Sequence, residues 1–239
     1  MIPQQDRKRP VCAVVGVGPG NGVAFARRFS AEGYAVALLA RRADVIEPLV
    51  ATLPDARAYP CDVTDPLSLA AAFARIRDDL GEVDTLIYNA GKGVWGNVET
   101  VTPDDVEQAW RTNTMGLFLT ARQVIPAMKR AGRGNIVVIG ATASRRGVAG
   151  TAAFAPAKAA QRALAESLAR YLGPSGIHVS LIIIDGVVDS PEMRALMAGK
   201  PDDYFVKPDA VAGIAMNLTR QDRSAWSFEV EARPFGEKW

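Results

Sequence analysis

Short apolar runs alternate along the chain with longer stretches whose apolar positions recur at the helical period. "VCAVVGV" (11–17), "YAVALLA" (34–40), "VDTLIYNAG" (83–91), "GNIVVIGA" (134–141) and "IHVSLIII" (177–184) read as strands of near-continuous apolar character. "ARAYP" (56–60) is a weaker strand, and "WSFEVEA" (226–232) alternates apolar with polar, which predicts a seventh strand with one wet face. Helical patterns fill the intervals at 21–33, 43–53, 65–81, 102–132, about 151–172 and 208–220. Asp65 with Pro66, and Thr102 with Pro103, are cap-plus-proline starts. Pro48 inside the second pattern predicts an irregular helix.

Apolar strands alternating with helices predict an α/β chain with a doubly wound, seven-stranded, mostly parallel sheet covered on both faces. No linker, repeat or low-complexity segment interrupts the pattern, so residues 1–239 are expected to form one domain. Composition narrows the function. A net charge of +2 gives no footprint for nucleic acid or an anionic membrane surface. No apolar run reaches the length of a membrane span, and "MIPQQDRKRP" lacks the apolar core of a signal peptide. Cys12 and Cys61 are the two cysteines and form no ligand pattern, so reduced thiols and a cytoplasmic location are expected. His178 is the one histidine, which excludes histidine triads and histidine metal clusters, and no metal site is expected.

"VVGVGPGNGVA" sets Gly16, Gly18, Gly20 and Gly22 between the first strand and its helix. Glycines there permit positive φ and close approach of a pyrophosphate, while the helix start offers free N–H groups. Asn21 stands where the third glycine of G-x-G-x-x-G would fall, and the spacing that fits is Gly16-x-x-x-Gly20-x-Gly22. At the tip of the second strand, where an acid would hold a ribose 2′-hydroxyl, the chain has Ala40, Arg41 and Arg42. A guanidinium pairs with a 2′-phosphate, so NADP(H) is expected over NAD(H).

With these residues in view, the chain resembles the short-chain dehydrogenase/reductase family over nearly its whole length, which implies a Rossmann fold. Gly16, Gly20 and Gly22 match the family's cofactor turn, and Asp62-Val63 the pair that meets the adenine. Asn89-Ala90-Gly91 matches its N-A-G motif, Asn113 the active-site asparagine of the long helix, and Lys158 the lysine of Y-x-x-x-K, which binds the nicotinamide ribose. The resemblance also exposes departures: Phe154 stands at the tyrosine position, Ala141 at the serine position, and Asp185-Gly186 at the Pro-Gly after the sixth strand. Thr142 or Ser144 could hold a substrate carbonyl or cap the loop. Asp185 could donate a proton or bond to the loop backbone. Residues 190–207 correspond to the family's substrate-covering loop. The resemblance implies an NADP(H)-dependent oxidoreductase acting on a small carbonyl, alcohol or activated alkene with an atypical proton donor. The alternative is a catalytically quiet NADP(H)-binding sensor or partner subunit. A homodimer or homotetramer is also implied.

Overall fold

The computed structural model describes residues 9–236. Seven strands form one parallel sheet: β1 (Val11–Val15), β2 (Ala35–Ala40), β3 (Ala56–Pro60), β4 (Val83–Tyr88), β5 (Gly134–Ala141), β6 (Ile177–Ile184) and, last in the chain, β9 (Glu229–Ala232). Their order is β3-β2-β1-β4-β5-β6-β9, and every pairing in it is parallel. The strand order reverses between β1 and β4, the kind of switch point at which open α/β sheets bind ligands beyond their carboxyl ends.

Alternation along β1 shows why the sheet is covered on both sides. Val11, Ala13 and Val15 enter one core with Leu86, Tyr88 and Ile136; Cys12 and Val14 enter the other with Phe25, Phe29 and Ile87. Successive side chains of a strand point to opposite faces, so a strand buried throughout reads as a near-continuous apolar run. The first core is closed by α3 (Pro66–Asp79), α5 (Gly116–Ala131) and α6 (Phe154–Leu172); the second by α1 (Asn21–Ala31) and α8 (Pro208–Thr219), with α2 (Ala43–Val50) beside β2 and β3. Asp65 caps α3 by accepting from Leu67 N, and Thr102 forms a capping box with Asp105 at the start of α4 (Pro103–Trp110).

Three expectations change. The helical stretch 102–132 is interrupted: between α4 and α5, residues Arg111–Met115 form a π-helical turn. Pro48 is accommodated within α2, which stays helical for eight residues. The last strand begins at Glu229, three residues later than the alternation suggests. Its glutamates are half-buried and engaged: Arg145 pairs with Glu229 and Glu231, and Arg162 Nε lies 2.5 Å from Glu229 Oε2. The alternating polar positions therefore carry an ion-pair network at the sheet edge. His178 is a core residue, its ring nitrogens 3.2 Å from Leu218 O and 2.9 Å from Ser227 O, stacked on Trp226.

A two-stranded ribbon, β7 (Val187–Val188) with β8 (Phe205–Val206), and the short helix α7 (Pro191–Leu196) make up most of the segment after β6. Asp189 fastens it, accepting from Arg194 Nε and Nη2 at 2.6 and 2.8 Å and from Lys207 Nζ at 2.8 Å. Arg194 lies over the buried Phe205 ring, while Leu196 turns outward. Among the described residues no helix is long and apolar enough to cross a membrane, and no acidic, histidine or cysteine cluster could hold a metal ion.

Candidate nucleotide cleft and active site

A cleft of about 800 Å³ opens at the carboxyl ends of β1, β2 and β4. Its floor is the turn after β1, which closes tightly because glycine leaves room for the neighbouring chain. Gly16 has φ +89°, and a β-carbon on it would run into the backbone of Ala90 and Asn89. One on Gly22 would stand 2.7 Å from Val17 Cα and 2.9 Å from Gly16 O. Asn89 Nδ2 donates to Gly16 O at 2.7 Å and ties the turn to the end of β4. Gly18 differs: a β-carbon there would meet nothing within 4 Å of the protein, so its small size serves the open cleft. Gly20 caps α1 with φ +112° and lies beneath Val188, Asp189 and Ser190. Asn21 is buried at the start of α1 with Oδ1 unpartnered.

Arg41 and Arg42 follow β2, are exposed, line the cleft and make no ion pair among the described residues. Asp62 and Val63 line the facing wall; Asp62 Oδ1 accepts from Thr64 N and Oγ1, both at 2.8 Å, which shapes the turn after β3. Asn89, Ala90 and Gly91 complete that wall after β4.

The reactive-group end is reached through Gly91. Built there, a β-carbon would lie 3.2 Å from Asn113 Oδ1 and 4.0 Å from Lys158 Nζ, so the glycine leaves the space between the cleft and these two side chains free. Asn113 is fully buried; its Nδ2 donates to Lys92 O at 3.0 Å and Ala109 O at 2.8 Å, while Oδ1 has no partner. Lys158, 6% exposed, donates to Ile139 O at 2.8 Å and Gln161 Oε1 at 2.9 Å. Burial among neutral groups pulls its ammonium down to about 7.

The π-helical turn sits where it does because its neighbours take its polar groups. Tyr88 Oη donates to Thr112 O at 2.5 Å, Gln161 Nε2 to Asn113 O at 2.9 Å, and Thr114 Oγ1 to Ala157 O at 2.8 Å. Such turns interrupt α-helices most often at functional positions.

Phe154, half-buried at the start of α6, has its ring centroid 6.0 Å from Lys158 Nζ and 5.3 Å from the Trp95 ring, which is 71% exposed. Ala141 ends β5, and its N–H donates to Ser144 Oγ at 3.1 Å, so Ser144 is a buried loop cap. Thr142 Oγ1 donates to Asp185 Oδ1 at 2.5 Å, joining the ends of β5 and β6, with an Arg146 guanidinium nitrogen 4.0 Å from the same oxygen. Asp185 N donates to Ala232 O, and Gly186 packs beneath Pro234, away from the cleft lining. Sequence reasoning singled out neither Gln161 nor Trp95. A glutamine on the apolar face of a helix, three residues after a lysine, was the available signal for the first.

The geometry fits a dinucleotide on two counts: a turn closed to any β-carbon at Gly16 and Gly22, and buried, unpartnered amide oxygens at Asn21 and Asn113 near its two ends. The "short chain dehydrogenase" family model matches residues 10–200. Short chain dehydrogenase andI of Emericella variicolor is 30% identical over 236 residues, covering 94% of this chain and 81% of that one. Among solved structures, a short-chain dehydrogenase from Rhodopseudomonas palustris superposes with a TM-score of 0.81 at 32% identity, covering 96% of this chain and all of the other. A metagenomic short-chain oxidoreductase in complex with NADP gives 0.80 at 28% identity, covering 95% and 98%. The glycine turn, the Asn113–Lys158 pair behind Gly91 and these matches agree: the chain belongs to the short-chain dehydrogenase family and is an oxidoreductase of that type.

Proposed function

We propose that the protein is an NADP(H)-dependent oxidoreductase that acts on a small carbonyl, alcohol or activated alkene without a tyrosine as proton donor. The reading is carried by the continuity between the cleft and the Asn113–Lys158 pair through the gap that Gly91 leaves. The backbone N–H groups around Gly18 and the start of α1 would hold the pyrophosphate. Arg41 and Arg42, exposed at the cleft rim with no ion pair among the described residues, favour the 2′-phosphate and hence NADP(H) over NAD(H). Asp62 and Val63 would flank the adenine, and Lys158 the nicotinamide ribose. When bound, the dinucleotide supplies or accepts a hydride.

Proton handling falls to the chain's own residues. The Phe154 ring has no ionisable proton, and Ala141 no hydroxyl. Among the described residues, the proton-bearing groups beside these two positions are Thr142 Oγ1, which donates to Asp185, Ser144 Oγ, which accepts from Ala141 N, and Lys158 Nζ on α6. Thr142 is the hydroxyl proposed to orient a substrate oxygen, by accepting from an alcohol while its own proton stays hydrogen-bonded to Asp185 or by turning that proton to a carbonyl. Purified protein with NADPH and a panel of ketones, aldehydes and activated alkenes is expected to oxidise the cofactor above background. Binding of NADPH with no turnover across the panel would refute the reading.

That outcome would favour a second one, a catalytically quiet NADP(H)-binding protein. The absence of polar atoms on Phe154 and Ala141 motivates it. Ala141→Ser with Phe154→Tyr then switches carbonyl reduction on, by roughly the 10²–10⁴-fold that general acid catalysis contributes. A homodimer or homotetramer is proposed for either case.

A further inference from the structure

Gln161 is fully buried on the face of α6 that otherwise buries Ala157, Ala165 and Leu172. A buried amide needs partners at both ends. An ammonium only donates and a backbone carbonyl only accepts, which fixes the orientation. Gln161 Oε1 accepts from Lys158 Nζ and Nε2 donates to Asn113 O, each at 2.9 Å. The i,i+3 spacing on α6 places the glutamine beside the lysine. Ile139 O takes a second N–H of Lys158, which leaves one N–H direction of the tetrahedral ammonium. Asn113 O belongs to the π-helical turn, so the glutamine links α6 to the point where the long helix is broken.

We propose that Gln161 is a positioning residue: it anchors the Lys158 ammonium to the π-helical turn at Asn113 and so turns the remaining N–H toward the gap at Gly91. The consequence for cofactor binding rests on the reading that Lys158 meets the nicotinamide ribose; the anchoring of Lys158 does not. Gln161 is the one side chain that donates to or accepts from Lys158 among the described residues.

The test reads Lys158 directly. Its side-chain resonances are followed by NMR against pH in the cofactor-free protein, in Gln161→Leu and in Gln161→Glu, and assigned with Lys158→Arg. The leucine variant removes the acceptor, and Lys158 is expected to titrate roughly one pH unit lower, the weight of one hydrogen bond to a charged group. The glutamate variant sets a carboxylate beside the ammonium, and the titration is expected to move up by roughly one to three pH units. A purely packing role moves thermal stability and leaves both titrations where they were, and that result would overturn the proposal. Should the leucine variant not fold, an unshifted titration in the glutamate variant overturns it equally. In calorimetry with NADPH, the leucine variant is expected to bind roughly tenfold more weakly, and the glutamate variant more tightly than the leucine one. Equal affinities in the three proteins would overturn the link to the cleft. If the unaltered protein does not bind NADPH, the dinucleotide reading falls, and the titrations still decide the role of Gln161.

Discussion

Replacing Lys158 by methionine should change how stability responds to pH in a defined window. The side chain titrates near 10.5 when solvated and near 7 in the fold, and burial is the cause. Between those values the unfolded chain binds the proton and the folded one does not, so stability rises with pH, with a limiting slope of about 1.4 kcal/mol per pH unit. The penalty is full below about pH 7 and relieved toward pH 10.5. From pH 7 to 8.5 the slope starts at half its limit, because the folded lysine is half protonated, and the gain amounts to about 1.7 kcal/mol. Methionine carries no proton and contributes no such slope. It also strips a donor from Ile139 O and Gln161 Oε1, a loss of roughly 1–3 kcal/mol per group that is independent of pH. The quantity to measure is therefore the difference between the two proteins, from urea unfolding at pH 7, 7.5, 8 and 8.5 at one protein concentration. Other titrating groups, such as Cys61, whose thiol burial pushes up to about 11, cancel in that difference. With an m-value of about 2–3 kcal/mol per M, the midpoint of the unaltered protein should gain somewhat under 1 M urea on the variant across the window. A pH-independent difference would refute the claim that a buried ammonium with only neutral hydrogen-bond partners sits behind Gly91.

The cofactor turn makes a paired prediction. Gly16→Ala combines left-handed strain with a collision at Ala90, costing roughly 2–5 kcal/mol and lowering Tm by roughly 5–15 °C, whereas Gly18→Ala leaves Tm near its original value and weakens NADPH binding. Equal losses of Tm would show that the space at Gly18 has been misread. Arg41→Ala with Arg42→Ala is expected to weaken NADPH binding roughly tenfold to a hundredfold and to leave NADH affinity within a few-fold, since only the 2′-phosphate loses its partners. Parallel loss of both nucleotides in calorimetry would remove the basis for the proposed NADP preference.

Much of the architecture was legible in the order of residues because its causes are local. Strands buried on both faces read as near-continuous apolar runs, so 134–141 and 177–184 have the same limits in the sequence pattern and in the sheet. Asp65 and Thr102 mark helix starts because their side chains satisfy backbone N–H groups two or three residues away. The glycine turn is legible for the same reason: positive φ at Gly16 and Gly20 is a property of the residue itself.

Where the cause lies across the sheet, the sequence by itself was silent. The stretch 102–132 reads as one helix, yet it widens at Arg111–Met115, where Tyr88, Gln161 and Ala157, remote in sequence, take or supply hydrogen bonds. Thr142 and Ser144 are equivalent as letters. Only the end of β6 decides that Thr142 meets Asp185, while Ser144 turns back onto its own loop. Arg145 and Arg146 look alike too, but the first is held at the sheet edge by Glu229 and Glu231 and the second lies beside Asp185. Composition and period determined a doubly wound sheet with a nucleotide turn, since propensity, capping and burial act over a few residues. The tertiary structure alone decided what surrounds Lys158, because its acceptors come from β5 and from the far side of one helical turn, and desolvation depends on everything packed around it.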